Sequence, residues 1–327
     1  MTNPNSQLPT LIPNRARRPV ISGQSITNRG MAYLQMMRPA NIVTAWADIL
    51  AGYAAAGLVG AGDLNSVYSL FWLLLATTGL YGGGVVFNDV LDAELDAKER
   101  PERPIPSGRS SAQEGVFLGT GLLTIGIMAA AQVSLLSAGI ATAIALAALL
   151  YDSVGKHHIL IAPLNMGLCR GGNLLLGVSA LPIMVQERLY LAAIPILYIT
   201  AITLISRGEV HGGSRIAGFI SLGLLALVCG GLIELSPMSG AGAVSSYEVS
   251  LMLPFGVFWA MSVFPAFMNA TREPSPELIR IAVRSGVISL IALDSAIAAG
   301  FSHWMYGLVI LSLLPLSRLL AKQFAVT

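Results

Sequence analysis

Ten stretches of mostly apolar residues recur along the chain, at about 38–60, 67–88, 113–133, 136–152, 159–182, 189–206, 215–235, 249–268, 280–300 and 303–321. Most approach the roughly 20 residues a helix needs to cross a bilayer. The pattern predicts an all-α polytopic membrane protein, a bundle of nine or ten transmembrane helices. The count turns on whether Ser302 and His303 mark a turn between two spans or a kink within one. Residues 1–28 are polar, and no apolar segment follows their arginines early enough for a cleaved signal peptide. They read as a disordered tail, and 29–327 as one membrane domain.

Composition supports the same class. Of 327 residues, 54% are hydrophobic and only 11% charged, with a mean hydropathy of +0.71. A soluble domain carries about 25% charged residues. Cys169 and Cys229 both sit inside apolar runs, which gives neither a disulfide framework nor a metal spacing. The distribution of charge says more than its net value of +2. Lys98, Arg100, Arg103 and Arg109 lie in the second connection, Lys156, His157 and His158 in the fourth, Arg207, His211 and Arg215 in the sixth, and Arg272, Arg280 and Arg284 in the eighth. The first and seventh connections carry no base. Basic loops face the cytoplasm, so the N-terminus and the even-numbered connections are expected there. Nothing points to a nucleic-acid partner.

Against that background the segment Asn88-Asp89-Val90-Leu91-Asp92-Ala93-Glu94-Leu95-Asp96 stands out. Asn88, Asp92 and Asp96 step by four, and Asp89 precedes Asp92 by three. If the membrane helix continues through them, all four side chains gather on one face. Crowded carboxylates call for a cation, and oxygen ligands alone select a hard one, Mg²⁺ or Ca²⁺. Arg100, Arg103 and Arg109 follow at once, so metal and bases for a diphosphate arrive in one cytoplasmic segment. Ser111 and Glu114 form the sequence of a capping box opening the next helix.

Ionisable groups inside the hydrocarbon are costly and need a reason. Asn41, Thr44 and Asp48 share a face of the first span. Asp48 is either a buried group holding helices together or the wall of a polar cavity. In the fifth span Asn165, Cys169 and Asn173 share a face beside Arg170, which must be neutralised, with Asp48 or Asp294 as partner. A structural ion pair and a ligand contact are both open for Arg170.

The motif Asn88-Asp89-x-x-Asp92-x-x-x-Asp96, followed by the run Arg100 to Gly108 (RPERPIPSG), resembles the first aspartate-rich motif of the UbiA superfamily of intramembrane prenyltransferases. Arg38-Pro39 opening the first span, and Tyr151 with Lys156 after the fourth, support the resemblance, which covers roughly residues 35–300. It implies a helical bundle around a central cavity with a cytoplasmic cap. It also implies Mg²⁺, a prenyl diphosphate and an acceptor, often aromatic, as cofactor and substrates, with membrane lipid around the bundle. On that resemblance Asn88, Asp89, Asp92 and Asp96 hold metal and diphosphate, Arg100, Arg103 and Lys156 hold phosphate oxygens, Tyr151 lies near the reacting carbon, and Asn41 lines the cavity with Asp48, Arg170 and Asn173.

One departure stands in the sixth connection. The family has a second pair of aspartates there, spaced D-x-x-x-D. This chain reads Ser206-Arg207-Gly208-Glu209-Val210-His211-Gly212-Gly213, in which Glu209 is the only carboxylate. Glu209 is expected to serve the metal, and Arg207 to supply a fixed positive charge. This run and the Leu168 to Asn173 stretch are similar to a bacterial UbiA-like branch called EboC, which implies a bacterial inner membrane. Two functions follow: a Mg²⁺-dependent prenyltransferase, or a non-catalytic relative that binds or helps transport a lipid or a diphosphate-bearing metabolite.

Overall fold

The computed structural model describes residues 23–60, 62, 64–153, 161–238 and 252–324. Among them the secondary structure is helical. In chain order the α-helices are α1 Gly23–Met37, α2 Pro39–Ala55, α3 Leu64–Leu91, α4 Ala93–Glu99, α5 Ala112–Ala131, α6 Leu135–Ser153, α7 Ile161–Val178 and α8 Met184–Glu187. After a 3₁₀ turn at Leu189–Ala192 come α9 Ala193–Ser206, α10 Arg215–Met238, α11 Leu253–Arg272, α12 Pro276–Phe301, α13 Trp304–Leu311 and α14 Leu313–Gln323.

Each of the ten apolar runs contains a helix. Among the described residues eight stretches are long and apolar enough to cross a membrane, α13 and α14 together making the last. The chain is thus an integral multi-pass membrane protein. The two runs outside that set are α2, with 17 residues, and α7, which carries Asn165, Arg170 and Asn173. α2 is almost wholly buried and falls just short in length, while α7 buries Arg170 and Asn173 and leaves Ile161, Leu164 and Leu168 exposed. α12 ends at Phe301, and His303 caps α13, so the Ser302–His303 pair is a break between helices.

α2 is the centre of the packing, with 14 of its 17 residues buried. It lies against α3, α7, α12 and α14. Glycines set its approach to α7: a Cβ on Gly177 would overlap the Ile49 carbonyl oxygen, and one on Gly52 would overlap that of Leu174. Small residues let two membrane helices bring their backbones together, replacing side-chain burial with close van der Waals contact. One apolar cluster surrounds Tyr198, Trp259 and Phe267, and a second, around Leu73 and Leu80, joins α3, α5 and α6. Outward-facing Phe117, Leu135, Ile216 and Met261 are exposed, as lipid-facing side chains should be. At the opposite extreme, α5 opens with the capping box foreseen at Ser111 and Glu114.

Candidate active site

The acidic segment is not one continuous helix. α3 stops at Leu91, Asp92 forms the junction, and α4 starts at Ala93. Backbone hydrogen bonds still bridge the junction, from Asp92 N to Asn88 O at 2.9 Å and from Asp96 N to Asp92 O at 2.8 Å. The four side chains form two pairs, as neighbours on adjoining strips of the helical surface.

Asp89 and Asp96 form the first pair, both buried. Arg103 Nη1 lies 3.2 Å from Asp89 Oδ1 and 2.7 Å from Asp96 Oδ2, and Arg38 Nη2 reaches Asp89 Oδ1 at 2.8 Å. Arg38 is held for this purpose by an unusual backbone. Between α1 and α2 it adopts φ 50°, ψ 67°, the left-handed region. A residue with a Cβ there costs about 1–2 kcal/mol. Pro39, which follows, disfavours the ordinary helical conformation at Arg38 and begins α2 without an N–H to satisfy. Strain of this kind persists where surrounding contacts over-determine it, and it gathers at functional sites.

Asn88 and Asp92 form the second pair. Asn88 Nδ2 donates to Asp92 Oδ2 at 3.1 Å and to Asp152 Oδ1 at 2.8 Å. Asp152 ends α6 and is 4% exposed. It was absent from the residues singled out in the sequence, although its place beside Tyr151 at the end of an apolar run was a signal. Tyr151 is half-buried there, with Asp152, Asp92, Arg207 and Arg38 among the charges around it.

The segment 100–110 folds over the acidic end as a series of turns, closed by Ser110 N to Pro104 O at 3.1 Å, with Gly108 in the left-handed region at φ 74°. Arg109 is anchored by Gln35 Oε1, by Glu102 O and, at 2.9 Å, by Ser107 Oγ. Arg100 lies 3.6 Å from Glu209 across the opening. These groups line a cavity of about 510 Å³ walled by Arg38, Arg100, Arg103, Arg109 and Arg280 and by Asp89, Glu99, Glu102 and Glu209. Glu209 is 9% exposed, and its Oε1 has no hydrogen-bond partner. Burial raises its carboxyl above the ordinary range, against the pull of Arg100 and Arg280. Burial and the charge of Arg38 lower Arg103, which stays cationic all the same.

Donor chemistry fits Mg²⁺. Every group in the two pairs and at Glu209 offers oxygen, and one buried Glu209 oxygen lacks a partner. Among the described residues no three carboxylates, histidines or cysteines stand in a ready-made metal cage, because Asp89 and Asp96 face guanidinium groups. Arg207 is exposed at the end of α9, and His211 is exposed in the following turn. Lys156, His157 and His158 lie outside the described residues.

A second polar cluster sits inside the bundle. Arg170 Nε lies 2.6 Å from Asp48 Oδ2, and Arg170 Nη2 donates to Thr44 Oγ1 at 3.0 Å. Asn173 Nδ2 donates to Asp48 Oδ2 at 2.8 Å and to Ala45 O at 3.0 Å, and accepts from Thr77 at 2.7 Å. Tyr81 offers its ring to Arg170, 5.7 Å from the guanidinium carbon. Asp294 is within hydrogen-bonding reach of Asp48. Of the two carboxylates named for Arg170, Asp48 makes the ion pair, and Asp294 stands beside Asp48. Asn41 is buried one turn before Thr44.

Residues 49–230 match the UbiA prenyltransferase family, and the chain belongs to it. Over 240 residues it is 29% identical to the digeranylgeranylglyceryl phosphate synthase of Methanoculleus marisnigri, covering 70% of this chain and 79% of that protein. It is 36% identical over 104 residues to the protein of the same name from Methanothrix thermoacetophila, a match that spans 32% of this chain and 38% of that relative. The fold is similar to that of a UbiA homolog from Archaeoglobus fulgidus bound to GPP and Mg²⁺, with a TM-score of 0.58 at 16% identity, covering 86% of this chain and 99% of the other. These relatives are archaeal and lend nothing to a bacterial membrane in particular.

Proposed function

We propose that this protein transfers the prenyl group of a prenyl diphosphate to a lipophilic acceptor within the membrane. The observation that carries the reading is a cavity walled by five arginines that the acidic motif reaches through Asp89. One face supplies oxygen ligands for a hard cation, the other supplies donors for phosphate oxygens. Arg38, Arg100 and Arg103 bind and orient the diphosphate, with Lys156 as a further contact. Asn88 and Asp92, joined by Asp89, Asp96 and Glu209, hold Mg²⁺. When bound, the ion withdraws electron density from the leaving group as a Lewis acid.

In the reaction the bond between the allylic carbon and the diphosphate oxygen breaks. A bond from that carbon to the acceptor forms, and the acceptor loses one proton to solvent or to the departing diphosphate. Tyr151 lies beside the reacting carbon, with its ring against the developing positive charge. Apolar helix faces keep water from the cation. The likeness to proteins named for digeranylgeranylglyceryl phosphate synthesis and the GPP and Mg²⁺ of the structural relative support this chemistry. The N-terminus and the cavity lie on the cytoplasmic side.

The test is diphosphate release by purified protein from a panel of prenyl diphosphates and acceptors, with and without Mg²⁺. Release is expected only with Mg²⁺, and is abolished by Asp92→Ala. Binding of prenyl diphosphate without any release across the panel would replace transfer by the carrier function.

A further inference from the structure

Asp152 belongs to no part of the motif, yet it is the group that fixes the motif's first residue. It comes from α6, its carboxyl is buried, and it accepts a 2.8 Å hydrogen bond from Asn88 Nδ2. The other Nδ2 hydrogen goes to Asp92 Oδ2 at 3.1 Å. Both hydrogens of the Asn88 amide are thereby committed to carboxylates on either side. The orientation of the amide follows, because its remaining polar atom, Oδ1, is an acceptor and has to face the other way.

We propose that Asp152 is a positioning residue for the Asn88 amide, holding Oδ1 where it ligates the divalent ion of the diphosphate complex. The inference rests on the function proposed above. It gives a physical reason for a carboxylate at the end of α6 in a chain whose 206–213 segment offers only Glu209. A single asparagine hinged at the end of a helix has a soft terminal torsion, and a buried charged acceptor pins it more firmly than a neutral one. Asp152 acts through Asn88 and touches neither substrate nor ion. Groups that orient a ligand in this way typically control metal affinity by about 10–100-fold.

The experiment titrates the detergent-solubilised full chain with Mn²⁺ in the presence of inorganic diphosphate, followed by electron paramagnetic resonance, alongside thermal unfolding without metal. Asp152→Ala is expected to weaken Mn²⁺ binding by about 10-fold or more. Asp152→Asn, whose carbonyl oxygen can still accept from Nδ2, is expected to recover most of that loss. In an Asn88→Ala background the further change Asp152→Ala is expected to do nothing, since there is no amide left to orient. Unchanged Mn²⁺ affinity in Asp152→Ala overturns the inference. So does an Asp152→Asn variant as weak as alanine, or full additivity of the two alanine changes. Asp92→Ala separates the two levels of argument: if it abolishes Mn²⁺ binding while Asp152→Ala leaves it intact, only the positioning role fails. If wild type itself takes up no Mn²⁺, both fail.

Discussion

Two arginine–carboxylate clusters among the described residues differ in what they leave undone. Inside the bundle, Arg170 is 6% exposed and is surrounded by Asp48, Thr44, Asn173, Asp294 and the face of Tyr81. Its partners come from α2, α3, α7 and α12, so the cluster ties four helices together. At the end of α3, Arg38 and Arg103 pair with Asp89 and Asp96 just as closely, but they border a cavity of about 510 Å³. The same residue types thus serve two ends. A guanidinium enclosed by packed helices stabilises the fold because removing it strands buried charge. One that borders an open, arginine-rich cavity can exchange its carboxylate for a phosphate.

The comparison predicts different failures. Arg170→Leu has the largest effect: Asp48 and Asp294 are left without their cation, at about 3–5 kcal/mol. The expected readout is a large fall in the midpoint of thermal unfolding in detergent, with activity lost only in proportion to folded protein. Arg103→Ala comes next. Removal of a charge that stabilises a departing anion typically costs about 10²–10³-fold in rate, so kcat/KM for prenyl diphosphate should fall at least 100-fold. Its thermal midpoint should move less than that of Arg170→Leu, because Arg38 still neutralises Asp89 and only Asp96 loses its cation, whereas Arg170→Leu strands the more deeply buried Asp48 and Asp294. Equal destabilisation by the two substitutions would erase the distinction between the clusters.

The smallest effect concerns pH. Burial raises the Glu209 carboxyl, so its contribution to stability is present below the unfolded carboxyl range and is lost as pH rises through the folded value. For binding the sign is the same. As pH falls through that raised value Glu209 loses its charge and frees Arg100, 3.6 Å away, for an anion. Calorimetric affinity for inorganic diphosphate without metal should rise a few-fold on acidification, beyond the protonation of the ligand itself. Glu209→Gln should remove that increment and bind at the low-pH level throughout.

Much of this architecture was written in the residue pattern. Run lengths placed the ten helical segments, because the bilayer sets a length that composition must respect. The cost of a charge in hydrocarbon pointed from Arg170 to Asp48 and Asp294, and the structure brings all three together. The acidic motif was legible as chemistry but not as geometry. Spacing of three and four puts the side chains on neighbouring strips of a helix, and it does not say that Asp89 and Asp96 meet arginines while Asn88 reaches Asp152 on α6. Asp152 and Arg280 reach the site through the crossing of distant helices, and single-chain spacing holds no information about such crossings. The left-handed backbone at Arg38 was hidden for a related reason: a proline following it restricts that residue without saying which of the remaining conformations the neighbouring carboxylate selects.

The lining of the cavity has a kinetic consequence. Among the described residues its five arginines face four carboxylates, a surplus of one positive charge. Such a near-balanced surface casts little field beyond a Debye length, about 8 Å at physiological ionic strength. An incoming anionic headgroup is therefore barely steered from afar. Capture is decided at contact distance, once the hydrocarbon tail has already confined the molecule to the bilayer, and added salt should slow arrival far less than it weakens the final grip.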